Sequence, residues 1–160
     1  MEFQTIQSLI HSLKRLIEDN NIIKLPNPKE QLQLNALSRN NKFIIDVNRK
    51  GNKLPKFTLQ LRESNHKDFT LLRLDILGPD HPNPIGDFPY SGEVIPCPHL
   101  HIAHPEFGSS IAYPLNTEVA EFFLSDEEMK DIISILRLFL RRCNIGNINE
   151  YRYIIQNELF

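Results

Sequence analysis

Side chains in the middle of this chain alternate between apolar and polar, whereas at both ends the apolar positions recur every three to four residues. The first spacing is that of a strand with one buried face, the second that of an amphipathic helix. A chain that runs helix, strands, helix folds as an α+β protein, and strands joined by short turns pair antiparallel. The expectation is a curved, mainly antiparallel sheet of about five strands with one N-terminal and one C-terminal helix. All of residues 1–160 are read as a single domain, a length that can bury a sizeable core.

Phe3, Ile6, Leu9, Ile10, Leu13 and Ile17 fall on one helical stripe and predict a helix over residues 1–20. Residues 25–35 contain Pro26 and Pro28 and read as a connector. Phe43–Val47 predicts a strand, Asn48–Lys53 a glycine-containing turn, and Phe57–Arg62 the returning strand of a hairpin. In the next strand, Phe69–Ile76, Leu72, Leu74 and Ile76 share one face; Arg73 and Asp75 take the other. His99–Ile102 and Ser110–Leu115 complete the set. Ser125 and Glu128 have capping-box spacing at the start of a helix predicted over 125–143, with Arg137, Arg141 and Arg142 towards its C-terminal end. The tail from Glu150 reads as a short helix or edge strand. Residues 78–98 hold six of the eleven prolines and no periodic signal. A segment so long between two strands, and so stiff, is expected to be an ordered functional loop.

With 18 Lys+Arg against 20 Asp+Glu, the formal net charge is −2 and the pI about 6.3. That rules out global attraction to nucleic acid or anionic lipid; any such contact needs a local patch. Two cysteines, Cys97 and Cys143, are too few for a disulfide framework. No apolar run reaches membrane-spanning length, and the N-terminus lacks the pattern of a secretory signal. A cytoplasmic protein with no membrane contact is expected.

Chemistry concentrates in PCPHLHIAHPEFG, which carries His99, His101 and His104, with His81 upstream; four of the six histidines lie within 24 residues. On a strand, His99 and His101 share a face about 7 Å apart, an open polar face by the alternation. Several uses of that pair compete. His99, His101 and Glu106 form H-x-H-x4-E, similar to the first half of a cupin metal motif, though no histidine follows His104. IPCPHLHIAH is similar to the histidine-triad nucleotide hydrolases, but Ala103 occupies the third position and His104 has the wrong parity. Cys97 lies two residues from His99 in the spacing of a nucleophile pair, and Ser109 and Ser110 read as turn residues. In metal-free RNA cleavage, one neutral imidazole takes the ribose 2′-hydroxyl proton and a charged one protonates the leaving oxygen. Arginine stabilises the phosphate.

Taken together, FIIDVNRKG, LLRLDILGPDHPNPIG, IPCPHLHI and AYPL resemble an uncharacterised family of small bacterial and prophage proteins, a domain of unknown function. The positions that carry the resemblance are Asp46, Arg49, Arg73, Asp75, Gly78, His81, Asn83, Pro84, Gly86, His99, His101 and Pro114. After His101 that family reads closer to Tyr-Arg-Glu-Gly, where this chain has Ala103-His104-Pro105-Glu106 and so lacks an arginine. The resemblance implies a mobile-element protein near toxin–antitoxin-like loci.

The leading expectation is therefore a metal-independent endoribonuclease of toxin type, with no cofactor. His99 and His101 are the acid and base, His81 enters from the loop, and Asp75 orients a histidine. Arg73, Arg49 and Arg62 contact phosphate. RNA and a cognate antitoxin are the expected partners. Two alternatives stay open: a non-catalytic inhibitor or antitoxin that binds a protein through residues 79–92, and a metal-dependent enzyme built on His99, His101 and Glu106.

Overall fold

Strand alternation builds a sheet with two unlike faces. The computed structural model describes residues 1–51 and 56–155. Its elements in chain order are α1 (Phe3–His11), β1 (Arg15–Leu16), β2 (Ile22–Leu25), β3 (Gln31–Leu37), β4 (Lys42–Arg49), β5 (Phe57–Glu63), β6 (Thr70–Asp75), β7 (His81–Pro82), β8 (Val94–Ile95), β9 (His99–Ile102), β10 (Ala112–Pro114), α2 (Ile132–Arg142) and β11 (Arg152–Ile155). Single 3-10 turns occupy Glu128–Lys130 and Ile148–Glu150. The main sheet has seven strands rather than five, ordered β1-β3-β4-β5-β6-β9-β10, with every neighbouring pair antiparallel. β2 and β11 form a parallel pair, and β7 with β8 a small antiparallel hairpin.

One face of the main sheet presents Leu34, Ile45, Val47, Leu59, Leu61, Leu72, Leu74 and Leu100, all buried in one contiguous core. α1 adds Ile6, Leu9 and Ile10; α2 adds Ile135, Leu136, Phe139 and Leu140. Burying a side chain of this size is worth about 1.5–3 kcal/mol, which is what holds both helices to the shared core. Among the described residues, no helix is long and apolar enough to cross a membrane.

Several expectations about the elements are corrected or refined. The N-terminal helix stops at His11 instead of running to 20, and Leu13 and Ile17 are exposed. Lys14 ends it: the buried Nζ donates to the carbonyls of Ile10, Ser12 and Cys143, drawing the chain into β1. Residues 25–35 are no plain connector, because QLQLNAL is strand β3, with Leu34 and Ala36 buried on alternate positions. The Ser125–Glu128 capping box forms, with Ser125 N–H to Glu128 Oε1 at 3.0 Å and Glu128 N–H to Ser125 Oγ at 3.1 Å. It closes only the 3-10 turn, and Asp131 caps α2 through Ile133 N–H at 3.0 Å. Finally, the proline-rich stretch contains the β7–β8 hairpin. Asn83 pins it to β10, donating to the Tyr90 and Ala112 carbonyls and accepting the Ala112 N–H.

The expected 43–62 hairpin is the β4–β5 pair, although Asn48 and Arg49 belong to the strand rather than the turn. Asn52 and Lys53 of that turn, and residues 156–160 of the tail, lie outside the described residues. Arg142, in the last turn of α2, is tied down: its Nε donates to the Ala120 carbonyl.

Candidate functional site

The second face of the sheet is polar, and antiparallel register lines its side chains up in rows. One row runs Gln31, Asn48, Thr58, Asp75, His99, Pro114; the next runs Gln33, Asp46, Gln60, Arg73, His101, Ala112. The arginine–aspartate strand thus lies directly beside the histidine strand. Above the rows opens a cleft of about 530 Å³, lined by Asn48, Lys50, Lys56, Arg73, Asp75, His81, His99 and His101 among others.

Asp75 is the hub. Its Oδ1 accepts from Thr58 Oγ1 at 3.1 Å; its Oδ2 lies 3.2 Å from Arg73 Nε, 3.2 Å from His99 Nε2 and 3.3 Å from His101 Nε2. Burial alone would raise this carboxyl. The imidazoles of His101 and His99 beside it, with the charge of Arg73, instead hold it well below the usual carboxylate range. It is an anion throughout the neutral range.

Main-chain carbonyls orient both imidazoles. His101 Nδ1–H donates to the Ser109 carbonyl at 2.8 Å, which leaves a lone pair on Nε2 of the neutral ring. Arg73 Nη2 donates into that lone pair at 3.0 Å. Burial lowers the His101 pKa, opposed by the Asp75 carboxylate beside it and reinforced by the Arg73 and His99 charges, so the neutral ring is favoured. His99 differs. Its Nδ1 faces the Ile95 and Pro96 carbonyls at 3.3 and 3.2 Å, and its Nε2 faces the Asp75 carboxylate. Oxygen acceptors lie at both nitrogens, an arrangement that a doubly protonated ring satisfies in full. The ring centroids of His99 and His101 are 4.9 Å apart.

The rings are not on an open face, as the alternation suggested. His99 is 2% and His101 1% exposed. The cover is the β7–β8 hairpin: His81 packs edge-on, 4.7 Å from His101 and 6.1 Å from His99 between centroids, while its Nε2 donates to the Ser110 carbonyl at 2.7 Å. Access is through Arg73 and Asp75, whose side chains are 35% and 18% exposed.

The other expected residues are dispersed. Arg49 shares the parity of Phe43, Ile45 and Val47, on the face opposite the histidines, and its Nη1 donates to the Pro26 carbonyl. Arg62 lies on the polar face but grips Asp46 with two bonds, Nε to Oδ2 at 2.7 Å and Nη2 to Oδ1 at 2.9 Å. Glu106 is exposed in a loop and does not line the cleft; its N–H donates to His104 Nδ1. His104 packs against Phe88 and Phe107, away from the other rings. The Cys97 Sγ is 3.7 Å from His99 Nδ1, but burial and the charges of Asp75 and Asp80 push its thiol up to about 11, too high for a ready thiolate.

For a metal, the structure replaces Glu106 by Asp75: one ligand atom each from Asp75, His99 and His101 lie within 4.8 Å of one another. Two imidazoles and a carboxylate suit a divalent transition metal. Sequence reasoning passed over Asn48, assigned to the turn, although Asp46 and Asn48 have the alternate spacing that puts them on the polar face.

A family model described as a family of unknown function (DUF6978) matches residues 1–145. No curated protein and no solved structure matches the chain.

Proposed function

We propose a function from the chain's own side chains, because the chain belongs to DUF6978, a family of unknown function: it is an endoribonuclease that cleaves RNA without a metal ion. The observation that carries this reading is the unequal hydrogen bonding of two adjacent imidazoles, His101 with a lone pair on Nε2 and His99 with acceptors at both nitrogens. Acid–base cleavage of RNA needs one neutral and one charged ring side by side.

In this mechanism the phosphate draws Arg73 off His101, which unmasks the base only when substrate is present. His101 Nε2 takes the proton of the ribose 2′-hydroxyl. The 2′-oxygen bonds to phosphorus, the bond from phosphorus to the 5′-oxygen breaks, and His99 Nε2–H protonates that leaving oxygen. The products are a 2′,3′-cyclic phosphate and a free 5′-hydroxyl. Asp75 accepts from His99 Nε2–H and orients it, and Arg73 neutralises the charge growing on the phosphoryl oxygens. Arg73 is the fixed cation of this cluster. Lys50 and Lys56 add to it at the cleft wall. A toxin role fits this chemistry and goes beyond it.

The test is cleavage of a single-stranded RNA in excess chelator. Cleavage is expected to persist, and to stop when the 2′-hydroxyls are replaced by hydrogen. His101→Asn, with its fold checked by circular dichroism, is expected to lose about 10²–10⁴-fold in rate. Equal cleavage of the 2′-deoxy oligomer would defeat the mechanism. A second reading is favoured by one observation: the converging Nε2, Nε2 and Oδ2 atoms, with both Nδ1 atoms held by carbonyls, match the outer-shell pattern of metal-bound imidazoles. Chelator-sensitive cleavage restored by a divalent transition metal would establish that reading in place of the first.

A further inference from the structure

Along the polar rows nearly every side chain is committed. Asp46 accepts from Gln33, Gln60 and both arms of Arg62; the Gln60 carbonyl accepts from Thr70; Thr58 donates to Asp75. Asn48 differs. Among the described residues, its Oδ1 is the one buried side-chain polar atom with no hydrogen-bond partner. Leaving a buried acceptor unmade costs free energy, so the half-buried Asn48 gains when its amide turns Oδ1 out to the cleft and meets a donor there.

Its position says which ligand. Asn48 lines the same cleft as the imidazoles and stands in the row Asn48, Thr58, Asp75, His99, two strands from Asp75. At about 4.8 Å per strand, that is about 10 Å, a span that one nucleotide bridges. Lys50 and Lys56, on the same side of Asp75, supply positive charge for the adjoining phosphate. An orphan carbonyl oxygen selects a hydrogen-bond donor; on a nucleotide the donors are the ribose hydroxyls and the amino or imide N–H groups of the base, and since the reacting 2′-hydroxyl is held at His101, the base edge is the donor that reaches Asn48.

We propose that Asn48 is the base-reading residue of this cleft, its Oδ1 accepting from a donor N–H on the nucleobase next to the bond that is cut. This subsite rests on the ribonuclease reading for its role in cleavage but not for its ability to bind. It makes the site selective: one base edge restores the missing hydrogen bond, while a base without a donor leaves the acceptor stranded.

The experiment measures binding of short 2′-deoxy oligonucleotides, which need no catalysis, to the full chain. Each of the four bases is compared at one position with its counterpart methylated to remove the donor, such as thymine with N3-methylthymine. Wild type is expected to favour the donor-bearing member of at least one pair about tenfold, the usual scale of a base-edge contact. Asn48→Ala is expected to reduce that ratio to within about twofold. Asn48→Asp, which retains an acceptor, should preserve the ratio while weakening binding overall. No preference in wild type for any pair, or an unchanged ratio in Asn48→Ala, overturns the proposal. If the ratio behaves as expected but RNA is not cut, the subsite stands and the catalytic reading falls; if RNA is cut with no ratio, the reverse holds.

Discussion

Asp75 ties the chemistry of the cleft to the stability of the fold. One carboxylate accepts from Thr58 and Arg73 and sits against both imidazoles. Replacing it by Asn leaves His99 Nε2 and Arg73 without their charged partner, so Asp75→Asn is expected to destabilise by about 2 kcal/mol at pH 7. The pH dependence has a definite sign. The folded carboxyl titrates below its unfolded range, so its contribution is present above about pH 4 and is lost as the pH falls from there. His101 adds a loss that begins higher. Its folded pKa is lowered, so below about pH 6.5 the unfolded chain takes up a proton that the folded one refuses. Urea midpoints from pH 7 to pH 3 should therefore fall in wild type, and the gap to Asp75→Asn should close below pH 4. A gap constant over that range would deny Asp75 its role as hub. Strand parity alone placed His99 beside His101 and Arg73 beside Asp75. Register, which put Asp75 opposite His99, depends on a partner strand 24 residues away and has no local signature. Burial of the rings was equally illegible, because the covering hairpin is pinned by Asn83 rather than by any periodic pattern.

Between elements, Lys14 does what no periodicity announces. Its buried Nζ ties the C-terminal end of α1 to that of α2, through Ile10 and Ser12 on one side and Cys143 on the other, over the ring of Phe43 at 4.8 Å. Lys14→Met would keep most of the volume and strand three carbonyls, an expected loss of about 2–3 kcal/mol. Burial lowers the lysine from 10.5 to about 8, only partly offset by Cys143. Between those values the unfolded chain holds a proton that the folded one has released, so rising pH stabilises wild type across that window. Thermal melts at pH 7.5 and 10 should show the wild-type advantage over Lys14→Met growing with pH; a shrinking advantage would contradict the lowered pKa. The same residue explains why the first helix was overestimated. Leu13 and Ile17 continue the helical spacing, yet Leu16 is the buried one, because from Lys14 onward the chain is extended. Strand β3 was legible in QLQLNAL, but Pro26 and Pro28 just before it suggested a connector. The capping box was real and belonged to a shorter turn, because Asp131 supplies a second cap six residues later.

For the molecule as a whole, the sheet separates an apolar core face from a polar face. The chain carries a net charge of −2, so no long-range field draws a polyanion to it. On the ribonuclease reading, binding falls to the cations that line the cleft among the described residues, Lys50, Lys56 and Arg73, since Arg62 is committed to Asp46 and Arg49 lies on the other face. Each phosphate contact made with a single strand contributes a slope of about −0.7 to the dependence of log K on log salt. Three cations at three phosphates thus set a slope of about −2, and Lys50→Ala should make it shallower by about 0.7. Fluorescence titrations of a 2′-deoxy oligonucleotide between 50 and 300 mM salt (about a sixfold range) measure both. A slope near −5, or one unmoved by Lys50→Ala, would place the strand on a different surface. A slope near zero would favour the inhibitor or antitoxin reading, in which residues 79–92 meet a protein and the polar rows serve only to hold the sheet and its covering hairpin together.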